Sequence, residues 1–373
     1  MKILKAYKYR LYPTTEQEAF IKKTFSCVRL VYNLLLQERI QLYKNLKKNP
    51  DLEIKLPTPA QFKTDYPVLK EVDSLALANA QVYLDRAFKK FYREKSVGFP
   101  KLKQKKNSVC SYTTNNQNGT IKISENKLLK VPKLKSLIKM KMHRPVLGKI
   151  KSATISLTPS NKYFVSILCE EEIPSIQQTN SAIGITLGIS EFAVLSNGKR
   201  IDNDKYTKEF EQRIAREEKK LLRRKEIAKK KGNELSQQRN YQKQKQKVAK
   251  MREKLMNQRV DFLNKITTEL IQQYDLICIE DIHQADFQRN SKLHRGITDV
   301  SWALFVSKLE YKASWYKKRL IKVSACGKCS EHSDNNERPY SFTQEGIKVE
   351  SASDPETAAS VKVLLQGLRA SRA

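Results

Sequence analysis

The sequence predicts a multidomain α/β protein in which a small β-barrel, interrupted by a helical insertion, precedes a second α/β domain. Three observations carry that prediction. Strand-like patterns at residues 2–12 and 112–173 flank amphipathic helical patterns within 14–95, so the barrel is discontinuous in sequence. The stretch Ala182 to Arg200, AIGITLGISEFAVLSNGKR, reads as a β-hairpin, with Ile183 and Ile185 leading into Gly188 and Phe192 to Leu195 preceding the Asn197-Gly198 turn. A further run, Tyr274 to Glu280 (YDLICIE), ends on Glu280 and Asp281, as a strand delivering carboxylates to a shared sheet edge would.

In chain order, Ile3, Leu4, Tyr7, Tyr9 and Leu11 interleave with Lys2, Lys5, Lys8 and Arg10, which describes a basic strand stopped by Pro13. Thr14 or Thr15 can cap the helix that follows, and Glu16 and Glu18 suit the positive end of its dipole. Its apolar positions Ile21, Phe25, Val28, Val31, Leu34 and Leu35 recur at steps of three and four until Asn49-Pro50 breaks the pattern. A second helix is expected from about Ser74 to Arg93, with Leu77, Ala80, Leu84, Phe88 and Phe91 on one face. After the lysine run KLKQKK, short strands turn at Asn118-Gly119 and at Pro159 to Asn161, and a polar linker follows Pro174. Residues 205–272 read as two charged helices turning at Gly232-Asn233, which is either a solvated hairpin or a phosphate-tracking face. Trp302, Phe305, Leu309, Tyr311 and Trp315 mark another amphipathic helix leading to a strand at Leu320 to Val323, and Asp354-Pro355 begins a last short helix.

Charge narrows the function. Lysine and arginine number 72 against 39 acids, a formal net charge of +33, so a polyanion is the expected partner and nucleic acid the expected polyanion. No apolar window of about 18 residues exists and the first residues lack a signal peptide's apolar core, so a cytoplasmic protein without a membrane partner is expected. The six cysteines are scattered apart from Cys326 and Cys329; Cys27 and Cys278 lie in apolar runs and should be buried. The Cys326-x-x-Cys329 pair is half of a structural zinc site, and Asn335 to Ala373 contains no Cys or His to complete it, so zinc is not expected.

The most informative position is one where an acid is missing. Nucleases that cut with two magnesium ions place acids at strand ends, because hard dications need anionic oxygen ligands. Where the hairpin's first strand should supply one, the residue is Thr186.

Several stretches together resemble a known family: KAYKYRLYPTTEQ at the start, LDRAFKKFYR at 84–93, GFPKLK at 98–103, IGITLGISEFAVLSNG, ICIEDI and SKLEYKASWYKKRLIKV. In this order they look like TnpB, the RNA-guided nuclease of bacterial insertion sequences. The resemblance implies a wedge-type β-barrel (1–13 and 96–178), an inserted helical recognition domain (14–95), a RuvC domain of ribonuclease H type (179–325 and 353–373) and a degenerate zinc ribbon (326–352). It implies guide RNA and double-stranded target DNA with a short flanking motif as partners, and a monomer. It also exposes departures. The family's first acid is replaced by Thr186, Glu280 is kept, and the third acid aligns with Pro355 when Ala358-Ala359 are matched to the family's paired alanines, leaving Asp354 one residue away. Loss of two acids, beside the Cys326 and Cys329 remnant, resembles the TnpB-like nuclease-dead repressors. Their catalytic site is empty of function, neither magnesium nor zinc serves as a functional cofactor, and a guide RNA is required.

By the same resemblance, Gln81 and Thr113 occupy positions where the family reads the flanking motif. Lys5, Lys8, Arg10, Lys101, Lys103, Lys105 and Lys106 are candidates for RNA or DNA backbone contact, acting by charge more than by identity. Two other readings compete with a guided repressor: a residual nuclease using Glu280, Asp281 and Asp354, and a guide-independent RNA- or DNA-binding accessory protein.

Overall fold

The computed structural model describes residues 2–48, 56–105, 110–174, 176–188, 191–202, 205–281, 298–324, 329–331 and 355–372. They fall into two compact units, Lys2–Glu172 and Ile173–Ala373.

The first unit is organised by its first strand. Alternation in β1 (Lys2–Tyr12) sends Ile3, Tyr7, Tyr9 and Leu11 into the core, and β1 pairs antiparallel with β7 (Tyr163–Glu172) along almost its whole length. On its other side lies β5 (Ile138–Lys141). With β2 (Cys110–Asn115), β3 (Lys122–Ile123), β4 (Leu128–Lys130) and β6 (Lys149–Leu157) this makes a curled seven-stranded sheet in the order β2-β6-β7-β1-β5-β4-β3. The sequence led us to expect a barrel, but no pairing between the edge strands β2 and β3 closes the ladder among the described residues. The edge strand β3 has only two residues, and helices pack along β2 instead.

Those helices are α1 (Thr15–Lys48) and α2 (Ser74–Arg93), inserted between β1 and β2. Thr14 and Gln17 cap α1 reciprocally: the Gln17 N–H donates to Thr14 Oγ1 at 3.4 Å and the Thr14 N–H to Gln17 Oε1 at 3.0 Å. Asp73 caps α2 by accepting from the Leu75 N–H, and its second carboxylate oxygen accepts from the Thr114 hydroxyl of β2. One carboxylate thus starts the helix and fastens it to the sheet. Leu35, Val31, Leu77, Leu84, Tyr7 and Ile155 belong to a single core, so the helical insertion and the sheet bury one another.

The second unit has a six-stranded sheet in the order β10-β9-β8-β11-β12-β13. Its strands are β8 (Ala182–Leu187), β9 (Glu191–Leu195), β10 (Arg200–Asp202), β11 (Leu276–Asp281), β12 (Arg319–Ser324) and β13 (Cys329–Glu331). Strands β8, β11 and β12 run parallel, and the others pair antiparallel. The Asn197-Gly198 turn joins β9 to β10, with Gly198 at φ 79°, so the predicted hairpin extends into a three-stranded meander.

Helices α3 (Lys205–Lys230), α4 (Arg239–Gln273) and α5 (Thr298–Tyr316) precede the final α6 (Pro355–Arg372). One face of the sheet, with Ile183, Ile185, Ile277 and Ile279, packs on Leu263 and Leu270 of α4 and on Trp302, Phe305 and Leu309 of α5. The opposite face, with Leu276, Cys278, Ile321 and Val323, packs on Val363, Leu364 and Leu368 of α6. Glycines permit that second contact. A Cβ at Gly184 would lie 2.1 Å from the Ser360 carbonyl oxygen, and one at Gly367 would lie 2.2 Å from Cys278 Sγ. The linker before β8 is held from below. Buried Asp275 accepts from the Thr179 and Asn180 N–H groups at 2.8 and 2.7 Å and pairs with buried Lys318.

Between α4 and α5 two lysines meet only neutral oxygen among the described residues. Lys312 Nζ donates to the Asn264 carbonyl at 2.9 Å and to the Thr267 and Thr268 hydroxyls at 2.7 Å each, and Lys308 Nζ donates to Asn264 Oδ1 at 2.6 Å. Burial, helped by the neighbouring Lys308 charge, pulls Lys312 down to about 8.

Two outcomes follow from this packing. Gly367→Ala should lower the stability of the second unit by about 1–3 kcal/mol, the range for overpacking, read as an earlier midpoint in urea unfolding. For Lys312 the folded value lies below a free lysine's 10.5, so folding disfavours its protonated form; the penalty is complete below about 8 and fades as pH rises toward 10.5. Wild-type stability should therefore gain on that of Lys312→Met over this interval, and parallel stability curves for the two proteins would refute the assignment.

Candidate functional site

Strand parity decides what faces α6. Gly184 and Cys278, paired across β8 and β11, both point to that helix, so Thr186 and Glu280, each two residues on, share the face. They follow directly after Ile185 and Ile279, the last pair in that ladder, and so stand at adjacent strand ends. The Thr186 hydroxyl is buried and has no hydrogen-bond partner among the described residues. Glu280 is half-buried with no cation paired to it among those residues, and burial pushes its carboxyl above the usual range.

The third position is on α6. Pro355 is exposed at the first position of the helix, where its missing N–H leaves no further donor unsatisfied. Its neighbour Glu356 accepts from Arg200 Nη1 at 3.4 Å, and the same nitrogen donates to Glu191 Oε1 at 2.8 Å. Arg200 pairs with Val194, which pairs with Thr186, so one row of the sheet runs from Thr186 to the arginine that holds Glu356. That span is two strand spacings, about 10 Å. Neither Arg200, Glu191 nor Glu356 stood out in the sequence; only the register brings them together.

Two magnesium ions do not fit these residues. A neutral hydroxyl and one carboxylate, which burial favours in its protonated form, cannot balance four positive charges. Among the described residues no group of three or more His, Cys, Asp or Glu side chains is arranged to hold a metal. Asp354 and Cys326 lie outside the described residues, as do the side chains of Asp281 and Cys329; the backbone of Cys329 opens β13 opposite Val323.

The candidate backbone-binding cations have different surroundings. Lys5 shares the inward parity of Ile3 and Tyr7 and pairs at 2.6 Å with buried Glu171, which also accepts from the Tyr7 hydroxyl. Lys103 lies 3.9 Å over the Tyr32 ring, its backbone bonded in both directions to the Asn33 side chain at 2.8 and 3.0 Å, and burial pulls its pKa down. Lys101 and Lys105 are exposed, and Lys106 lies outside the described residues. Lys8 and Arg10 project from the outward parity of β1 over Phe164. The buried Thr113 hydroxyl shares hydrogen bonds with the Tyr83 hydroxyl at 2.6 Å and Thr154 Oγ1 at 2.7 Å. Gln81 is half-buried about 200° round α2 from Asn79 and Tyr83, the residues that reach Thr113, so the two candidate motif readers lie on opposite flanks of that helix.

The charged helices α3 and α4 sort their charges. Glu211 pairs with Arg259, Glu218 with Arg252 at 2.6 Å, and Glu217 with Lys247 at 3.0 Å, each across the interhelical contact. Hydrogen bonds from Gln244, Lys220 and Lys247 hold Glu217 down at about 2. With these acids engaged, Arg223, Lys229 and Lys230 are left exposed.

Comparison with known proteins gives a consistent pattern. Residues 1–48 match the "Helix-turn-helix domain" model of the IS605 OrfB family, and residues 166–291 match that family's "Probable transposase" model. The first match falls here on one strand and one long helix. A Streptomyces pristinaespiralis protein named "Putative RNA-guided DNA endonuclease" is 30% identical over 380 residues, covering 99% of this chain and 90% of the relative. From Escherichia coli K12, "Putative RNA-guided DNA endonuclease InsQ" is 25% identical over 342 residues, covering 87% and 81%. Among solved structures, a Cas12f1 chain from a cryo-EM complex with sgRNA and target DNA superposes with a TM-score of 0.52 at 12% identity, covering 98% of both chains, a likeness of fold. No described helix is long and apolar enough to cross a membrane.

The strand-end geometry makes one substitution informative. Thr186→Asp sets a second carboxylate beside Glu280 and should lower stability by about 1–3 kcal/mol without divalent ions, with partial recovery in millimolar magnesium. Wild-type protein should melt at the same temperature with or without magnesium; thermal melts of both proteins in chelator and in magnesium check this.

Proposed function

Because the chain belongs to the TnpB (IS605 OrfB) family, we propose that it is an RNA-guided DNA-binding protein that occupies its target without cutting and represses transcription there. The observation that carries the reading is Thr186, a hydroxyl without a partner among the described residues, beside Glu280 at the strand ends where the family's acids are expected. Clamping the attacking and leaving oxygens of a phosphodiester needs several anionic ligands, whereas binding does not. Its free energy comes from phosphate contacts, protein contact with a short flanking motif and RNA–DNA pairing, all independent of the lost acids.

In this reading the Lys2–Glu172 sheet serves as the wedge, with α1 and α2 as recognition helices. Residues 179–325 and 353–373 form a RuvC domain without activity, and 326–352 is a zinc-ribbon remnant. Gln81 and Thr113 approach the flanking motif from either flank of α2. Lys8, Arg10, Lys101, Lys105 and Lys106 neutralise backbone phosphates; Lys5 and Lys103, already docked on Glu171 and Tyr32, contribute less. A guide RNA is required, magnesium and zinc are not, and a cytoplasmic monomer suffices. A residual nuclease would use Glu280 with Asp281 and Asp354; the carboxylate described on α6, Glu356, is bonded to Arg200, which favours the inactive reading.

The test is to purify the protein with its bound RNA, sequence that RNA, and assay a matching DNA duplex. Matched duplex should bind at least about a hundredfold tighter than a scrambled one and stay intact in magnesium. Cleavage abolished by Glu280→Ala would establish a residual nuclease, and equal affinity for unrelated RNAs would establish an unguided binder.

A further inference from the structure

The outward face of the seven-stranded sheet carries a cluster whose cations have no acid paired to them among the described residues. Arg10 stands directly across from Phe164 of β7 on one side and Lys141 of β5 on the other, and Phe164 in turn faces Ser156 of β6. No acid occurs in this row, and two cations side by side on a ladder repel. What orients Arg10 is aromatic: its guanidinium lies 5.5 Å from the Tyr12 ring centroid and 5.3 Å from that of Phe164, while Lys8 Nζ lies 4.8 Å over Phe164. Its buried Nη1 has no hydrogen-bond partner among the described residues. Tyr12 is 48% exposed, and Lys8 and Lys141 are exposed beside it.

A half-buried guanidinium oriented by rings on the outward face and flanked by exposed lysines is matched to a phosphate oxygen, and an exposed ring next to it is matched to a base. We propose that this face binds an unpaired stretch of RNA, with a phosphate on Arg10 and its flanking lysines and the adjoining base stacked on Tyr12. Rings on an open sheet reach only bases that are not already stacked in a duplex, which selects single strands. Ser156, on the same face, offers a hydroxyl able to bond a ribose 2′-hydroxyl, which selects RNA. The site rests on the proposed function only for the source of that RNA, the guide.

The test uses full-length protein stripped of bound RNA in high salt and a fluorescein-labelled oligouridine, read by anisotropy without target DNA. Tyr12→Ala should weaken binding about tenfold and Tyr12→Phe by less than about twofold, since stacking and not the hydroxyl is lost. Arg10→Lys should weaken it about tenfold with the charge retained, because the planar fork is gone. Lys89→Ala on α2 should lose no more than about twofold, the effect of one charge among many. If Tyr12→Ala lowers the melting temperature, Tyr12→Leu keeps an apolar contact for the Arg10 stem and repeats the measurement. Wild-type affinity in both Tyr12→Ala and Arg10→Lys, or equal losses on duplex RNA, would overturn the site. Tighter binding of oligothymidine than oligouridine would overturn the choice of RNA. Losses on oligouridine alongside unguided DNA binding would discard the guided reading alone, and guided binding with no such losses would discard this site alone.

Discussion

The approach of α6 to the second sheet governs what the candidate site can be. Backbone meets strand at Gly184 and side chain meets backbone at Gly367, so the helix has no freedom to shift along the face it covers. Period-two alternation then leaves no choice for the residues beyond: a strand that shows Gly184 to α6 must also show Thr186, and one that shows Cys278 must also show Glu280. The chemistry of the strand ends is therefore set by residue type alone. The scaffold stays aimed at the same point whether or not an acid stands there, which is why a protein of this architecture can lose a reaction without losing its fold.

Electrostatics follows a second rule. Carboxylates are used internally, on Asp73 to start α2, on Glu171 to neutralise Lys5, on Asp275 to tie down the linker, and on Glu211, Glu217 and Glu218 to zip α3 to α4. Each acid so engaged removes negative potential from the outer surface. The formal charge of +33 thus understates how one-signed the exterior is, and that exterior is what a polyanion meets.

Much of this was legible in the sequence because local chemistry and periodicity agreed. The bounds of α2 match the expected Ser74 and Arg93, since an N-cap aspartate precedes a strict apolar repeat. Cys27 and Cys278 are buried as their apolar runs implied. Barrel closure was not legible, because whether two edge strands meet depends on curl and on what else packs along them. The position of Lys5 could have been read: it shares the parity of Ile3, Tyr7 and Tyr9, and only its charge argued for the outside. Lys103 and Thr113 offered no such cue, since their partners Tyr32, Asn33, Tyr83 and Thr154 are distant in sequence. The aromatic support for Arg10 was half visible, because Tyr12 lies on the same strand while Phe164 joins only through register.

The Thr186 hydroxyl, without a partner among the described residues, also bears on the direction in which such a site evolves. Aspartate there would oppose Glu280 across adjacent strand ends in a setting that already disfavours a charged carboxyl. Exchanging it for threonine relieves that repulsion and leaves, at worst, one modest polar group to satisfy. The first step away from an acid is thermodynamically downhill for the fold, and the step back is uphill unless the remaining acids return with it. In the proposed reading, loss at this position works as a ratchet, and a lineage that takes it is free to refine binding surfaces with little prospect of regaining a cut.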